Sequence, residues 1–140
     1  MRARDRLGRP VAADAPGAVP DVPEQALPAP DALALAQSLL DEGRAFGAHE
    51  VLEASWKAAP TPERELWQGL AQICVGITHL QRGNPVGAAR LLRRGAGNLP
   101  PTLPYDLDPG LVAWALALAD RVDHGERTTS TPRLRISDSR

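Results

Sequence analysis

The sequence predicts an all-α protein, a small bundle of about five helices between disordered N- and C-terminal arms. Helix start and stop signals recur along the middle of the chain, and one segment repeats apolar residues at alternating steps of three and four. No segment shows the apolar and polar alternation of a strand. The 140 residues carry a formal net charge of −1 and are 43% hydrophobic, which is the composition of one soluble domain.

Composition divides the chain into three parts. Residues 1–30 are rich in Pro and Ala and lack groups that fill a core, so we predict a disordered arm. Residues 31–124 form the predicted helical bundle domain. Residues 125–140 are rich in Arg, Thr and Ser and predict a flexible polar tail, in which Leu134 and Ile136 form at most a short extended piece.

Charge and cysteine content limit the partners and the compartment. A single cysteine, Cys74, cannot form an internal disulfide, which favours a reducing, cytoplasmic location. No apolar run approaches the ~20 residues of a membrane span, so no membrane partner is expected. The basic residues are scattered and the net charge is near zero, so nucleic-acid binding is not favoured.

Start and stop residues in the sequence predict the first two helices. Asp31 is the predicted N-cap of a helix that continues to Gly43. The second helix is predicted at residues 44–58 and stops at Pro60. Its predicted inward stripe comprises Ala45, His49, Leu52 and Trp56, with Phe46 and Glu53 on its flank.

The third helix has the strongest signal. Thr61 as a cap and Pro62 at the first helical position predict its start, and it is expected to run to about Arg82. Its apolar seam comprises Leu66, Leu70, Ile73, Ile77 and Leu80. A second stripe on the neighbouring face comprises Gln68, Gln72, Val75 and His79. Cys74 lies near the seam, which favours a core position over a nucleophilic role.

Two more helices complete the bundle. Pro85 predicts the start of a short fourth helix that ends between Gly95 and Asn98. Residues 100–104 are an extended, proline-rich link. Asp108 as a cap and Pro109 at the first position open a fifth helix. Its predicted inward residues are Leu111, Ala115, Leu118 and Val122.

The clearest chemical signal is the spacing of His49 and Glu53, which lie four residues apart on one helical face. An imidazole and a carboxylate so placed suit a divalent metal such as zinc, manganese or iron. Glu50 and His79 are the candidates for completing the ligand set. At ~1.5 Å per residue, however, His79 lies about 10 Å too far along its helix for that role.

Three interpretations of this cluster stay open. In the first, His49 and Glu53 join Gln68 and Gln72 in a buried hydrogen-bond network on which Trp56 packs. The second is metal binding, and the third is acid-base catalysis. A zinc-protease helix is not indicated, because the second His of its motif is missing. The rival class is a metal-free interaction module that binds a protein partner or a second copy of itself.

The chain resembles domain of unknown function 309, a family of bacterial and archaeal proteins. That family is marked by His, three residues, Glu, two residues and an aromatic, which His49, Glu53 and Trp56 match position by position. The resemblance covers about residues 38–98 and implies an all-helical bundle with a metal-binding role for the His and Glu. Further matching segments are Gln68-Gly69-Leu70, His79-Leu80-Gln81-Arg82-Gly83-Asn84 and Gly87-Ala88.

Overall fold

The computed structural model of the chain describes residues 2–136. Five α-helices make up most of the fold, which confirms the predicted fold class. They are α1 (Ala29–Asp41), α2 (Ala45–Ala58), α3 (Arg64–Gln81), α4 (Pro85–Asn98) and α5 (Leu111–Asp123), and a 3-10 turn at Thr61–Glu63 precedes α3.

The helix ends differ from the predictions by a few residues. The N-cap of α1 is Pro28 rather than Asp31, which instead lies in the first turn, where its charge faces the positive end of the helix dipole. Asn84 caps α4 by accepting a hydrogen bond from the Gly87 N–H at 3.1 Å. The cap of α5 is Gly110, and Asp108 Oδ1 accepts from the Gly110 N–H at 2.8 Å.

Helices α2 and α3 form an antiparallel hairpin. The end of α3 meets the start of α2, where Gln81 Nε2 donates to the Gly43 carbonyl at 3.2 Å. The whole predicted seam of α3 is buried. The inward face of α2 differs from the predicted stripe, since Ala45, Ala48, Leu52 and Ser55 are buried whereas His49 and Trp56 are only partly buried.

Helices α3 and α4 cross with their backbones in close contact. A Cβ added at Gly69 would lie 2.7 Å from the Gly95 carbonyl oxygen, and one at Gly95 would lie 2.7 Å from the Gly69 oxygen. Only glycine at both positions allows this approach. The crossing fixes which face of α3 is turned toward α4.

The N-terminal residues differ from the expected disordered arm. Three short strands, β1 (Arg2–Asp5), β2 (Pro10–Ala12) and β3 (Ala18–Val19), form an antiparallel sheet in the order β2-β1-β3. The turn between β1 and β2 is built locally, because Asp5 Oδ1 accepts from the Leu7 and Arg9 N–H groups and Gly8 has φ +82°. Local side-chain bonds of this kind specify a turn without an apolar pattern.

The C-terminal residues also differ from the expected flexible tail as far as residue 136. Leu134 is 1% exposed and joins the core of the bundle. Leu107 and Arg135 form an isolated antiparallel bridge. Residues 137–140 of the predicted tail lie outside the described residues.

No helix within residues 2–136 combines the length and the apolar character needed to cross a membrane.

Candidate functional site

One face of α2 carries three polar side chains that are spaced four residues apart and contact one another in turn. His49 Nε2 lies 3.0 Å from Glu53 Oε2, and Glu53 Oε1 lies 3.1 Å from Lys57 Nζ. His49 is the most buried of the three, with 17% of its side chain exposed, against 36% for Glu53 and 69% for Lys57. The predicted pairing of His49 with Glu53 is therefore present on one helical face.

The Glu53 carboxylate is stabilised in its ionised form. Burial alone raises its pKa, but the hydrogen bond from Lys57 and the charge and hydrogen bond of His49 outweigh that effect. The pKa of Glu53 consequently lies below its ordinary value, as expected for a carboxylate that is held by hydrogen bonds from Lys57 and His49.

The glutamines of α3 do not join this pair. Gln72 Oε1 instead accepts a 2.6 Å hydrogen bond from Asn98 Nδ2 of α4. Gln68 is partly buried, and Trp56 packs against the hydrophobic core. His49 Nδ1 is buried and has no hydrogen-bond partner within the described part of the chain. The four-residue network of the first interpretation is not formed, because Gln72 faces α4 rather than α2.

His79 lies apart from His49, in the last turn of α3. Its Nδ1 is 3.0 Å from Asn84 Nδ2. Burial lowers the pKa of His79, and the charges of Arg82 and Arg90 lower it further. A neutral imidazole that accepts the Asn84 amide hydrogen fits this environment.

The described residues do not complete a metal site. Among residues 2–136, no three His, Cys, Asp or Glu side chains are grouped so that they could hold an ion. One Glu53 oxygen is 3.1 Å from the Lys57 ammonium, which competes with any cation for that carboxylate. His49 and Glu53 supply two donors, fewer than structural or catalytic zinc sites use.

A cleft of about 450 Å³ lies between α2 and the N-terminal residues. We call it the α2 cleft. Its α2 wall includes Phe46, Glu50 and Glu53, and its opposite wall includes Arg4 and residues 19–24. The cleft was not predicted from the sequence, because about half of its lining belongs to residues 1–30, which were expected to be disordered.

The N-terminal wall is held against the helices by arginine side chains. Arg82 Nε donates to the Leu7 carbonyl at 2.8 Å, and Arg44 donates to the Pro20 carbonyl at 2.6 Å. Arg4 donates to the Gly8 carbonyl at 2.7 Å and lies 5.0 Å from the centre of the Phe46 ring. A turn signal was present in the sequence, since Asp5 and Gly8 have the spacing that a tight turn requires.

Glu50 contributes a carboxylate of α2 to the lining of the α2 cleft. Its partly buried carboxylate lines the cleft and has no hydrogen bond or ion pair within residues 2–136. Burial is the main cause that raises the pKa of Glu50, and Asp21 and Glu53 add to it against the opposing charges of Arg4 and His49. A cation that enters the cleft would meet a carboxylate without a committed partner.

These features define a small helical-bundle protein with a His-Glu pair on its second helix and a polar cleft beside it. A family model described as "Domain of unknown function (DUF309)" matches residues 33–91. This match confirms the resemblance to that family over most of α1, all of α2 and α3, and half of α4. The N-terminal wall of the α2 cleft and α5 lie outside the match.

A curated relative shows the same similarity. The uncharacterised protein YpuF of Bacillus subtilis (strain 168) is 42% identical over 48 residues, which are 34% of this chain and 28% of YpuF. The chain thus aligns with less than a third of its relative's length. No solved structure matches the chain significantly.

Proposed function

We propose that this protein is a metal-free interaction module whose α2 cleft takes a basic side chain, a lysine or arginine in an extended segment of a partner protein. The observation that carries the proposal is the unpartnered Glu50 carboxylate in the cleft wall. An organic cation would supply the ion pair that Glu50 lacks, and charge-assisted hydrogen bonds are the stronger kind.

The surroundings of Glu50 support a cation over an anion as the ligand. Asp21 lines the same cleft and likewise has no hydrogen bond or ion pair within residues 2–136. The guanidinium whose charge acts on Glu50, that of Arg4, is already engaged by the Gly8 carbonyl and the Phe46 ring. The Phe46 ring also lines the cleft, and an aromatic face attracts a desolvated cation.

The pairing of Glu53 with His49 and Lys57 suits a supporting role. His49 and Lys57 hold its two oxygens, so it keeps its charge beside Glu50 without needing the ligand. In this arrangement the His-Glu pair positions the cleft wall, while Glu50 contacts the partner.

A titration of isotope-labelled protein followed by NMR tests this function. The probes are Nα-acetyl-lysine amide, Nα-acetyl-arginine amide and the uncharged Nα-acetyl-norleucine amide. The basic probes should shift backbone amides at residues 4–6 and 46–57, and norleucine should not. Glu50→Gln should weaken that binding about tenfold or more, because it removes a charged hydrogen-bond partner.

Glu65→Gln is the matched control, since Glu65 is exposed on α3 away from the cleft. It should bind the basic probes as the parent does. Equal shifts with lysine and norleucine, or unchanged binding in Glu50→Gln, would contradict the proposal.

A divalent ion at His49 and Glu53, with zinc, manganese or iron as candidates, stays a prediction. The 3.0 Å separation of their nitrogen and oxygen atoms favours it, because two ligands of one ion can lie that close. Metal analysis of untagged protein after supplementation tests it. A stoichiometric ion that is lost in both His49→Ala and Glu53→Ala would support metal binding, and its absence from the parent would remove that candidate.

A further inference from the structure

Basic side chains gather where the end of α3 meets the start of α4. We call them the basic patch, and its members are Arg9, His79, Arg82, Arg90 and Arg94. They belong to separate segments of the sequence, so no run of charge along the chain indicates this surface. The fold brings the segments together.

His79 is the centre of the basic patch and lies against the first turn of α4. A Cβ built at Gly87 would lie 3.1 Å from His79 Nδ1. Arg82 is one turn beyond His79 on α3. Arg90 is one turn beyond Gly87 on α4. Burial lowers the pKa of His79, and the positive charges of Arg82 and Arg90 lower it further, so both guanidiniums act on the imidazole.

The patch extends from this centre in two directions. Arg82 Nε donates to the Leu7 carbonyl at 2.8 Å, which holds the turn between β1 and β2 against the end of α3. Arg9 is exposed in that turn. Arg94 is exposed on α4, four residues beyond Arg90, and a spacing of four places both arginines on one helical face.

The positive charge of the patch is not neutralised within residues 2–136. In that part of the chain its three exposed arginines have no side-chain hydrogen bond or ion pair, and Arg82 has no acidic partner. The neighbouring Arg93 differs, because it contacts Asp120 and Asp123 of α5 at 2.9 and 2.6 Å. Asp5 uses its Oδ1 for two backbone N–H groups of the turn. A ligand that complements the basic patch is therefore anionic.

His79 adds a directed hydrogen-bond donor to these charges. Asn84 Oδ1 accepts from the Gly87 N–H at 3.1 Å, so its Nδ2 is the atom that lies 3.0 Å from His79 Nδ1. His79 Nδ1 then accepts the amide hydrogen, and the neutral imidazole carries its own hydrogen on Nε2. That N–H can donate to an oxyanion.

The exposure of the patch decides which anion fits it. A single surface ion pair contributes little in water, so an isolated phosphate or carboxylate would be held weakly by these exposed guanidiniums. A nucleic-acid strand presents one phosphate per ~3.4 Å, and guanidinium groups bind phosphate oxygens through paired hydrogen bonds. Several weak contacts then act together and release counterions.

We propose that the basic patch binds the phosphodiester backbone of a nucleic-acid strand, without reading its sequence. The arginines contact successive phosphates, and His79 Nε2 donates to one of their oxygens. This inference is independent of the function proposed for the α2 cleft, whose ligand has the opposite charge.

Fluorescence anisotropy with a labelled oligothymidylate strand tests the proposal at about 50 and about 200 mM salt. The parent should bind, and more weakly at the higher salt. Arg90→Gln should weaken binding by about two- to fivefold. It should also lower the slope of log K against log salt by ~0.7, the value for one phosphate contact of a single strand. Because Arg90 is exposed, this variant should unfold at the same temperature as the parent.

Arg64→Gln is the matched control, since it removes the same charge from an exposed arginine at the other end of α3, ~27 Å from Arg82 along the helix. It should bind the strand as the parent does. In NMR spectra of the labelled parent, the strand should shift the imidazole signals of His79 and the amides of residues 82–94, and leave residues 64–68 unchanged. No binding by the parent at low salt, or equal weakening by Arg64→Gln and Arg90→Gln, would overturn the proposal.

Two other polyanions are the competitors in the same assay. A poly-glutamate peptide that displaces the strand at equal or lower concentration would assign the basic patch to an acidic protein partner instead. Anionic phospholipid vesicles are the second competitor, because Val86, 75% exposed on the first turn of α4, could insert into a membrane. Vesicle binding that Val86→Ser abolishes, in a parent that does not bind the strand, would replace the nucleic acid by a lipid surface.

Discussion

The phenyl ring of Phe46 lies flat against the backbone of Gly8, in the space that a side chain at residue 8 would occupy. Gly8 also has φ +82°, in the left-handed region. This contact joins the turn between β1 and β2 to α2. Because Arg4 and Arg82 lie 5.0 and 5.4 Å from the centre of the same ring, Phe46 is the anchor of the N-terminal wall of the α2 cleft.

Gly8→Ala should release that wall. A Cβ would overlap the Phe46 ring, and the left-handed backbone would cost a further ~1 kcal/mol. We expect unfolding free energy to fall by about 1–3 kcal/mol and hydrogen exchange to quicken at residues 2–12 while the helices stay protected. Gly17→Ala is the control, because its Cβ would meet only Asp5 Cβ at 3.9 Å. Unchanged protection of residues 2–12 in Gly8→Ala would contradict this role.

Gly95→Ala should destabilise the crossing of α3 and α4. Alanine favours a helix over glycine by ~0.5–1 kcal/mol, yet here the added Cβ would lie 2.7 Å from the Gly69 carbonyl oxygen. Overpacking of this kind costs about 1–3 kcal/mol. Chemical denaturation should therefore show a lower unfolding free energy for Gly95→Ala than for the parent. An equal or higher unfolding free energy would argue against the close crossing of α3 and α4.

Gly97→Ala provides the comparison within the same helix. A Cβ built there meets no neighbouring atom within 4 Å. Only the higher helix propensity of alanine should therefore change the stability. The unfolding midpoint of Gly97→Ala should rise, which separates the packing effect at Gly95 from the general effect of replacing a helical glycine.

The sequence predicted the helices well where large apolar residues recur at helical spacing. All five seam residues of α3, from Leu66 to Leu80, are buried as expected. The prediction for α2 was less accurate because its buried face is made largely of small residues such as Ala45 and Ala48. Alanine gives a weak apolar signal, so the helical pattern favours the larger His49 and Trp56 as inward-facing residues.

The candidate site depended on contacts that helical periodicity does not encode. His49 and Glu53 pair as predicted because both lie on one helix. Gln72 accepts a hydrogen bond from Asn98. This pairing depends on the crossing of α3 and α4, which is set by the close contact at Gly69 and Gly95. The N-terminal wall depends on long-range bonds such as that from Arg82 to the Leu7 carbonyl, 75 residues apart, which composition cannot indicate.

Cys74 should be unreactive in the folded protein. Its side chain is fully buried in the core, and burial raises the pKa of the thiol to about 12. Because the thiolate is the reactive form, labelling by a thiol reagent at neutral pH requires the core to open. The labelling rate should therefore rise with denaturant in parallel with unfolding, and rapid labelling without denaturant would contradict the buried position.

The pH dependence of stability should differ in sign between Glu53 and Glu50. The pKa of Glu53 in the folded state is below the ordinary value of 4.5. Ionised Glu53 therefore stabilises the fold above pH 4.5, and this contribution to stability is lost as pH falls through the folded pKa. Glu53→Gln should lower the unfolding free energy at neutral pH, and the difference from the parent should shrink in acid.

Glu50→Gln should instead raise the unfolding free energy at neutral pH. The pKa of Glu50 in the folded state is raised above 4.5, mainly by burial. Its favourable contribution to stability is therefore complete below pH 4.5 and is lost as pH rises through the folded pKa. At neutral pH the folded protein carries an ionised carboxylate without an ion-pair partner, and removing its charge should raise the unfolding free energy. Denaturation curves of the parent and both variants between pH 3 and 7 measure the two differences. A loss of stability in Glu50→Gln at neutral pH would mean that Glu50 already has a stabilising partner, and the proposed cation site would lose its main support.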